Sequence, residues 1–357
     1  MLEECLDLCL SVQQTIERNL SFSNKEDNTS FKEFCSIMSQ AGKLVLILHA
    51  DTALATVEEL LAWSDRELIP VVMIPSDGNT SRIERSRGQV SLCESVLSSL
   101  GTLAISCLAL GLSDSEFIGK VLDWAVQLLN GNGITQVQST VQVIAEAAAV
   151  SGMNSGENWE MLYQEKVPVS FAKLLSWVTS CGDKIEEDKD ATLELKKGVS
   201  SIVITYARNK SQDEVSWEDL IEVMVAAVVA LLKKKIVAIG EVMLPSSVVE
   251  LGTINRIFLE SILRHTGGKE AMSMALQNML SELDSAEGLS ADLGSILLIC
   301  SVVKFDNTEE LLNIIEKTIS EQIDAEDIEG ERISDRELLR EVKAACKEAR
   351  GRLGLVV

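Results

Sequence analysis

The sequence predicts an all-α protein, an α-solenoid of stacked helical hairpins. From Val90 onward, runs with apolar residues at helical spacing alternate with short polar joints. The 357-residue chain is 46% hydrophobic but only 4% aromatic, with four prolines. Ala, Leu, Val and Ile therefore carry the apolar content, which suits close-packed helices better than a β-sandwich. Some of the helical runs also echo one another, which is the signature of an array rather than of a single bundle.

The N-terminal part is the least regular. Leu2, Cys5, Leu6, Cys9, Leu10, Val12 and Ile16 follow helical periodicity, Ser21–Ser30 forms a polar loop, and a second helix begins near Phe31. Residues 43–79 are ambiguous. Two short β-branched runs, "AGKLVLILHAD" and "RELIPVVMIPSDGN", flank the helical "ATVEELLAW". Strand–helix–strand is a legitimate reading, but nothing downstream continues a β/α alternation, which favours helices. Pro75–Gln89 is rich in turn formers and reads as a long loop.

The helices expected next are Ser91–Leu110, Ser115–Leu129, Thr135–Val150, Ser170–Ser180, Ala191–Arg208, Trp217–Lys234, Ser246–His265, Lys269–Leu283, Ala291–Lys304, Glu309–Ile323 and Ser334–Arg350. The chain divides into N-terminal helices with an irregular segment over 1–89, a helical-repeat array over 90–333, and a terminal helix over 334–357. Leu338, Leu339, Val342, Ala345 and Cys346 form one apolar stripe on that last helix. The stripe either caps the array or binds a partner.

Internal similarity is concentrated in the middle. "VLDWAVQLL" (Val121–Leu129) resembles "KLLSWVTSC" (Lys173–Cys181), with Trp124 matching Trp177. In the helices that follow, Val141 registers with Val199, Ile144 with Ile202, Ala148 with Tyr206 and Ala149 with Ala207. A separate echo links "LGTLAISC" (Leu100–Cys107) to "LGSILLIC" (Leu293–Cys300). Gly131 and Gly133, at the mouth of the helix from Thr135, raise the question of a phosphate cradle. A Trp-bearing helix, not a strand, precedes them, and Gln136 stands where a dinucleotide fingerprint needs its third glycine. They read instead as the joint of a hairpin, with Thr135 capping the next helix.

On these residues, Phe117–Gly152 resembles an armadillo repeat, and Phe171–Lys210 looks like a second, looser copy, with HEAT-type repeats fitting nearly as well. The resemblance implies an armadillo/HEAT-like solenoid acting as a scaffold or adaptor. It also implies an alternative role as an armadillo-type regulator or chaperone of a small GTPase, which would recognise a polybasic lipidated tail. Peptide-binding armadillo arrays place an Asn on the groove-lining helix. The matching positions here are Ala147 and Thr205, a departure from import-type peptide capture.

Charge narrows the partners. A net charge of −23 repels nucleic-acid backbones and anionic membranes and favours a basic segment of another protein. Glu146 on a second helix, and Glu186, Glu187 and Asp188 in the acidic stretch "CGDKIEEDKD", are the candidate docking residues. That stretch reads as a solvated loop. It lacks the order of ligands and the central glycine of a calcium loop. Arg82, Arg85 and Arg87 make a basic island in a Ser-rich loop, suited to a phosphate or to nearby phosphorylation.

Catalytic chemistry finds little footing. The two histidines, His49 and His265, fit no zinc or triad spacing, and no nucleophile elbow or P-loop occurs. No metal or cofactor is expected. His265 sits at a helix end before Gly267 and Gly268, where a cation would favour the helix dipole. The rival reading is an enzyme with a site in the 43–79 insert, around His49, Asp51 and Asp77. Eight scattered cysteines without a C-x-x-C look like buried thiols of a reducing compartment, cytosolic or nuclear. The longest apolar run falls far short of the ~20 residues of a spanning helix.

Overall fold

The computed structural model describes residues 50–72, 87–110, 113–129, 135–210, 214–283, 288–326 and 333–355. Among these, every regular element is helical and no strand occurs. In chain order they are α1 (Ala50–Glu67), α2 (Ile69–Val72), α3 (Arg87–Ala109), α4 (Ser115–Leu128), α5 (Thr135–Met153) and α6 (Glu157–Met161). There follow a π-helical turn (Leu162–Lys166), α7 (Val167–Glu187), α8 (Lys189–Asn209) and α9 (Glu214–Ile239). A 3-10 turn (Val248–Leu251) leads into α10 (Thr253–Leu263), α11 (Gly268–Glu282), α12 (Leu289–Val303), α13 (Thr308–Glu326) and α14 (Ile333–Leu353). The chain forms two compact units: residues 1–174 with 193–202, and residues 175–192 with 203–357.

In the first unit α3 packs on α5, α4 covers α5, and α1 lies against α3 and α4. Asp114 caps α4, its carboxylate accepting the Phe117 N–H at 2.8 Å. Phe117, Val121, Trp124, Ala125 and Leu128 then form a buried stripe at helical spacing. Trp124 is large and polar at one atom, so its burial needs a partner, and its indole N–H donates to Ser64 Oγ at 2.8 Å. Between α6 and α7 the helix widens into the π turn just before Pro168, which has no N–H to give to the preceding turn.

The second unit is organised around α9, which touches α10, α11 and α12. From Leu289 to Cys300 every residue of α12 except Asp292 is buried, as expected of a core helix apolar all round. Asp292 is paired with Lys233 of α9 at 2.7 Å. Ile236 of α9 lies beside Gly294, where a side chain would crowd the contact between the two helices. Helices α13 and α14 close the unit, with the buried Arg350 guanidinium donating two 3.1 Å bonds to Glu316 and a further one to Asn313.

The all-helical expectation holds for the described residues, and three local readings need correction. The acidic stretch from Cys181 is not a loop: α7 runs to Glu187 and α8 starts at Lys189. Asp188 alone breaks the helix, accepting the N–H groups of Asp190 and Ala191 at 2.9 and 3.0 Å. Residues 246–265 are not one helix, because Gly252, with φ +113°, separates the 3-10 turn from α10. Helix α6 and the π turn were not expected at all. Over residues 50–72 the ambiguous insert is helical; residues 43–49 and 73–79 lie outside the described residues, as do Gly131 and Gly133.

Candidate functional site

Among the described residues, a developed surface groove lies in the second unit, where α9 ends. Gly240 closes the helix at φ +75°, its N–H reaching Ile236 O at 2.7 Å. No atom crowds a side chain there, so the backbone angle alone calls for glycine. The chain beyond is tied down at three points: Val242 is buried, the Arg352 guanidinium donates to Leu244 O at 3.2 Å, and Ser246 donates through N and Oγ to Glu250.

This anchoring leaves apolar side chains facing out. Val237, Ile239, Met243 and Val249 are 63%, 53%, 67% and 58% exposed. Beside them opens a mainly apolar cleft of about 300 Å³ with Leu232, Ile236, Leu251, Leu298 and Glu241 in its lining. A second, more polar cleft of about 340 Å³ is lined by Asp183 and Glu186 of α7, Lys234 of α9 and Asn255 of α10. Lys235, Ile239 and Leu251 line both, so the two form one groove.

Most polar groups of the groove are already engaged. Glu186 Oε1 accepts the Ile254 N–H at 3.1 Å, a cap for the start of α10, and Lys234 Nζ donates to Thr179 O at 2.6 Å. The Asn255 amide donates to Leu251 O while its Oδ1 is buried without a partner. Asp183, Lys235 and Glu241 are exposed, and among the described residues none of them has a hydrogen bond or ion pair.

The residues expected from sequence fall unevenly around this groove. Glu186 lines it, Glu187 is exposed on the same helix end, and Asp188 is committed to capping α8. Glu146 lies half-buried on α5 in the other unit, where burial pushes its carboxyl above the usual range. Arg87 opens α3; Arg82 and Arg85 lie outside the described residues. Leu338, Leu339 and Val342 are 9%, 3% and 0% exposed, so the terminal stripe is covered within its own unit rather than offered to a partner. Asp183 belongs to the acidic stretch that the sequence offered for docking, whereas sequence reasoning missed Lys235, Ile239, Glu241 and Met243. The available signal was "KKKIVAIGEVMLP", where apolar residues run past the helix stop on more faces than one helix can bury.

Chemistry elsewhere is subdued. His265 stacks edge-on to Trp217 with ring centroids 6.3 Å apart, and burial, with Arg264 adding to it, lowers its pKa. It is therefore a neutral packing group, not the dipole-stabilising cation its position suggested. Cys107, Cys300 and Cys346 are buried thiols pushed up to about 12 by desolvation. Of the insert residues, Asp51 sits in α1, whereas His49 and Asp77 lie outside the described residues. Among the described residues no cluster of three or more His, Cys, Asp or Glu is placed to hold a metal, and no helix is long and apolar enough to cross a membrane. No protein family, curated protein or solved structure matches the chain.

Proposed function

We propose that this chain is a non-catalytic helical-repeat interaction protein, a scaffold or adaptor that docks a basic segment of a partner protein. The observation that carries the reading is the groove at the end of α9. Exposed apolar side chains on a pinned backbone, next to unpaired carboxylates, are the makings of a peptide-docking surface. The net charge of −23 adds a field that draws basic segments in and raises their rate of encounter.

The armadillo/HEAT-like arrangement is part of the same proposal. It is supported by helices that pack on the next but one, α3 on α5 and α12 on α14, with a shorter or more peripheral helix between. The registered pairs share burial as well: Val141 and Val199, Ile144 and Ile202, and Ala148 and Tyr206 are all buried, while Ala149 and Ala207 are half-buried. Gln142 of α5 bonds Glu194 of α8 at 2.6 Å, so the two registered helices meet. Trp124 and Trp177 diverge, the first buried and the second half-exposed, as loosely kept repeats do.

The test is a titration of a labelled lysine-rich peptide against the protein at rising salt. The expected result is an affinity that weakens markedly between low and physiological ionic strength, and that drops when Asp183→Asn and Glu187→Gln are combined. These two positions replace Glu186 and Asp188 as targets, since removing either cap would disturb folding itself. Affinity indifferent to salt would sink the electrostatic reading.

A further inference from the structure

We infer that the groove at the end of α9 reads a four-part pattern in its partner: a basic residue, a residue that is not basic, a large apolar residue and a second basic one. The inference rests on the proposed docking of a basic segment in this groove and adds the order in which its side chains lie.

The order follows from the lining. At the polar end Asp183 stands unpaired beside Glu186, whose second carboxylate oxygen remains available. Lys234, the resident cation of this end, is drawn to the Thr179 carbonyl, its Nζ donating to Thr179 O at 2.6 Å, and the two carboxylates of Asp183 and Glu186 outnumber it. In the middle Lys235, which lines both clefts and has no partner among the described residues, repels a second cation and accommodates a neutral or acidic side chain. Beyond it lies the apolar cleft of about 300 Å³, flanked by the exposed Ile239 and Met243, a space for one leucine- or phenylalanine-sized side chain. Glu241, also unpaired, lines this cleft but not the polar one, and suits a second Lys or Arg.

Charge complementarity selects this occupant over two others. An acidic apolar segment would meet Asp183 and Glu241 at both ends as well as the field of a chain of net charge −23. A second copy of the chain would bring the same net charge with it. Lys235 then acts as the discriminator between basic segments, because a run of lysines places a cation opposite it whereas the interrupted pattern does not.

The experiment measures anisotropy of labelled peptides on the whole chain. The probe carries Arg, Glu, Leu and Lys in that order within a Ser/Gly background. Its companions replace Leu by Ser, exchange both basic residues for Glu, or replace the central Glu by Lys. The probe is expected to bind best, with the Ser companion weaker by about ten-fold or more from the lost burial. Ile239→Asp and Met243→Asp should abolish that preference; both positions are exposed, so helicity and unfolding midpoint should be unchanged. Lys235→Glu should reverse the order of the probe and its Lys-centred companion. Tighter binding of the peptide with Glu in place of both basic residues, or self-association in sedimentation that Ile239→Asp removes, would reassign the groove and overturn the inference. If basic peptides bind but none of these substitutions matters, the groove assignment fails while basic docking survives. If no basic peptide binds at all, both fall.

Discussion

His265 shows how a residue's surroundings override its position. It stands at a helix end, yet burial against Trp217 and the neighbouring Arg264 depress its pKa below the ordinary 6.5. The unfolded chain therefore takes up this proton first. The neutral ring's contribution is fully present above pH 6.5 and is lost as pH falls through the lower folded value. Chemical denaturation between pH 5 and 8 should show the wild type losing stability below about pH 6.5 relative to His265→Gln. Parallel profiles for the two proteins would refute this. Glu146 and Glu94 behave oppositely: half-burial raises both carboxyl pKa values, so their contribution is present below the unfolded value near 4.5 and lost as pH rises through the folded one. Glu146→Gln should accordingly unfold at higher denaturant than wild type at pH 7 and lose that advantage near pH 4. A lower midpoint at neutral pH would mean that the carboxylate is stabilised by a contact the structure lacks.

At the scale of elements, single polar atoms decide where helices stop. Asp188 separates two long helices by one residue, and Asp188→Ala should cost about 1 kcal/mol in thermal or denaturant unfolding through loss of the α8 cap. No measurable change would mean that the joint is held otherwise. Helix α14 offers the opposite case, since its stripe is covered. Leu339→Ala should destabilise by about 2–5 kcal/mol as a core truncation, whereas a stripe reserved for a partner would leave the free protein's stability unaltered. These elements also show what could be read in the sequence. Helices α3, α4, α5, α11, α12, α13 and α14 were legible to within a few residues, because each carries an apolar stripe, or in α12 an apolar run, between polar joints. The end of α7 was not, since Asp183, Glu186 and Glu187 look like loop composition when they are the solvent side of a helix. The break at Gly252 was hidden by apolar residues on both sides that keep helical spacing across it. The groove was out of reach for another reason: Asp183, Lys235, Ile239 and Leu251 meet only after three separate segments have packed, and no spacing in the chain encodes that meeting.

In the molecule as a whole, a strongly acidic chain carries one local groove in which an apolar cleft adjoins a charged one. The net charge of −23 governs encounter with a basic partner, and the pinned segment from Gly240 to Gly252 governs where the partner rests. Anchoring by Val242, by Arg352 on Leu244 O and by Glu250 on Ser246 means that the site is largely formed before binding, so little ordering cost opposes association. Hydrogen–deuterium exchange with and without the Arg–Glu–Leu–Lys peptide tests this most directly. The account predicts slowed exchange over residues 236–252 and around 179–187, with the first unit unaffected; protection confined to the first unit, or absent from 236–252 at saturating peptide, would contradict it.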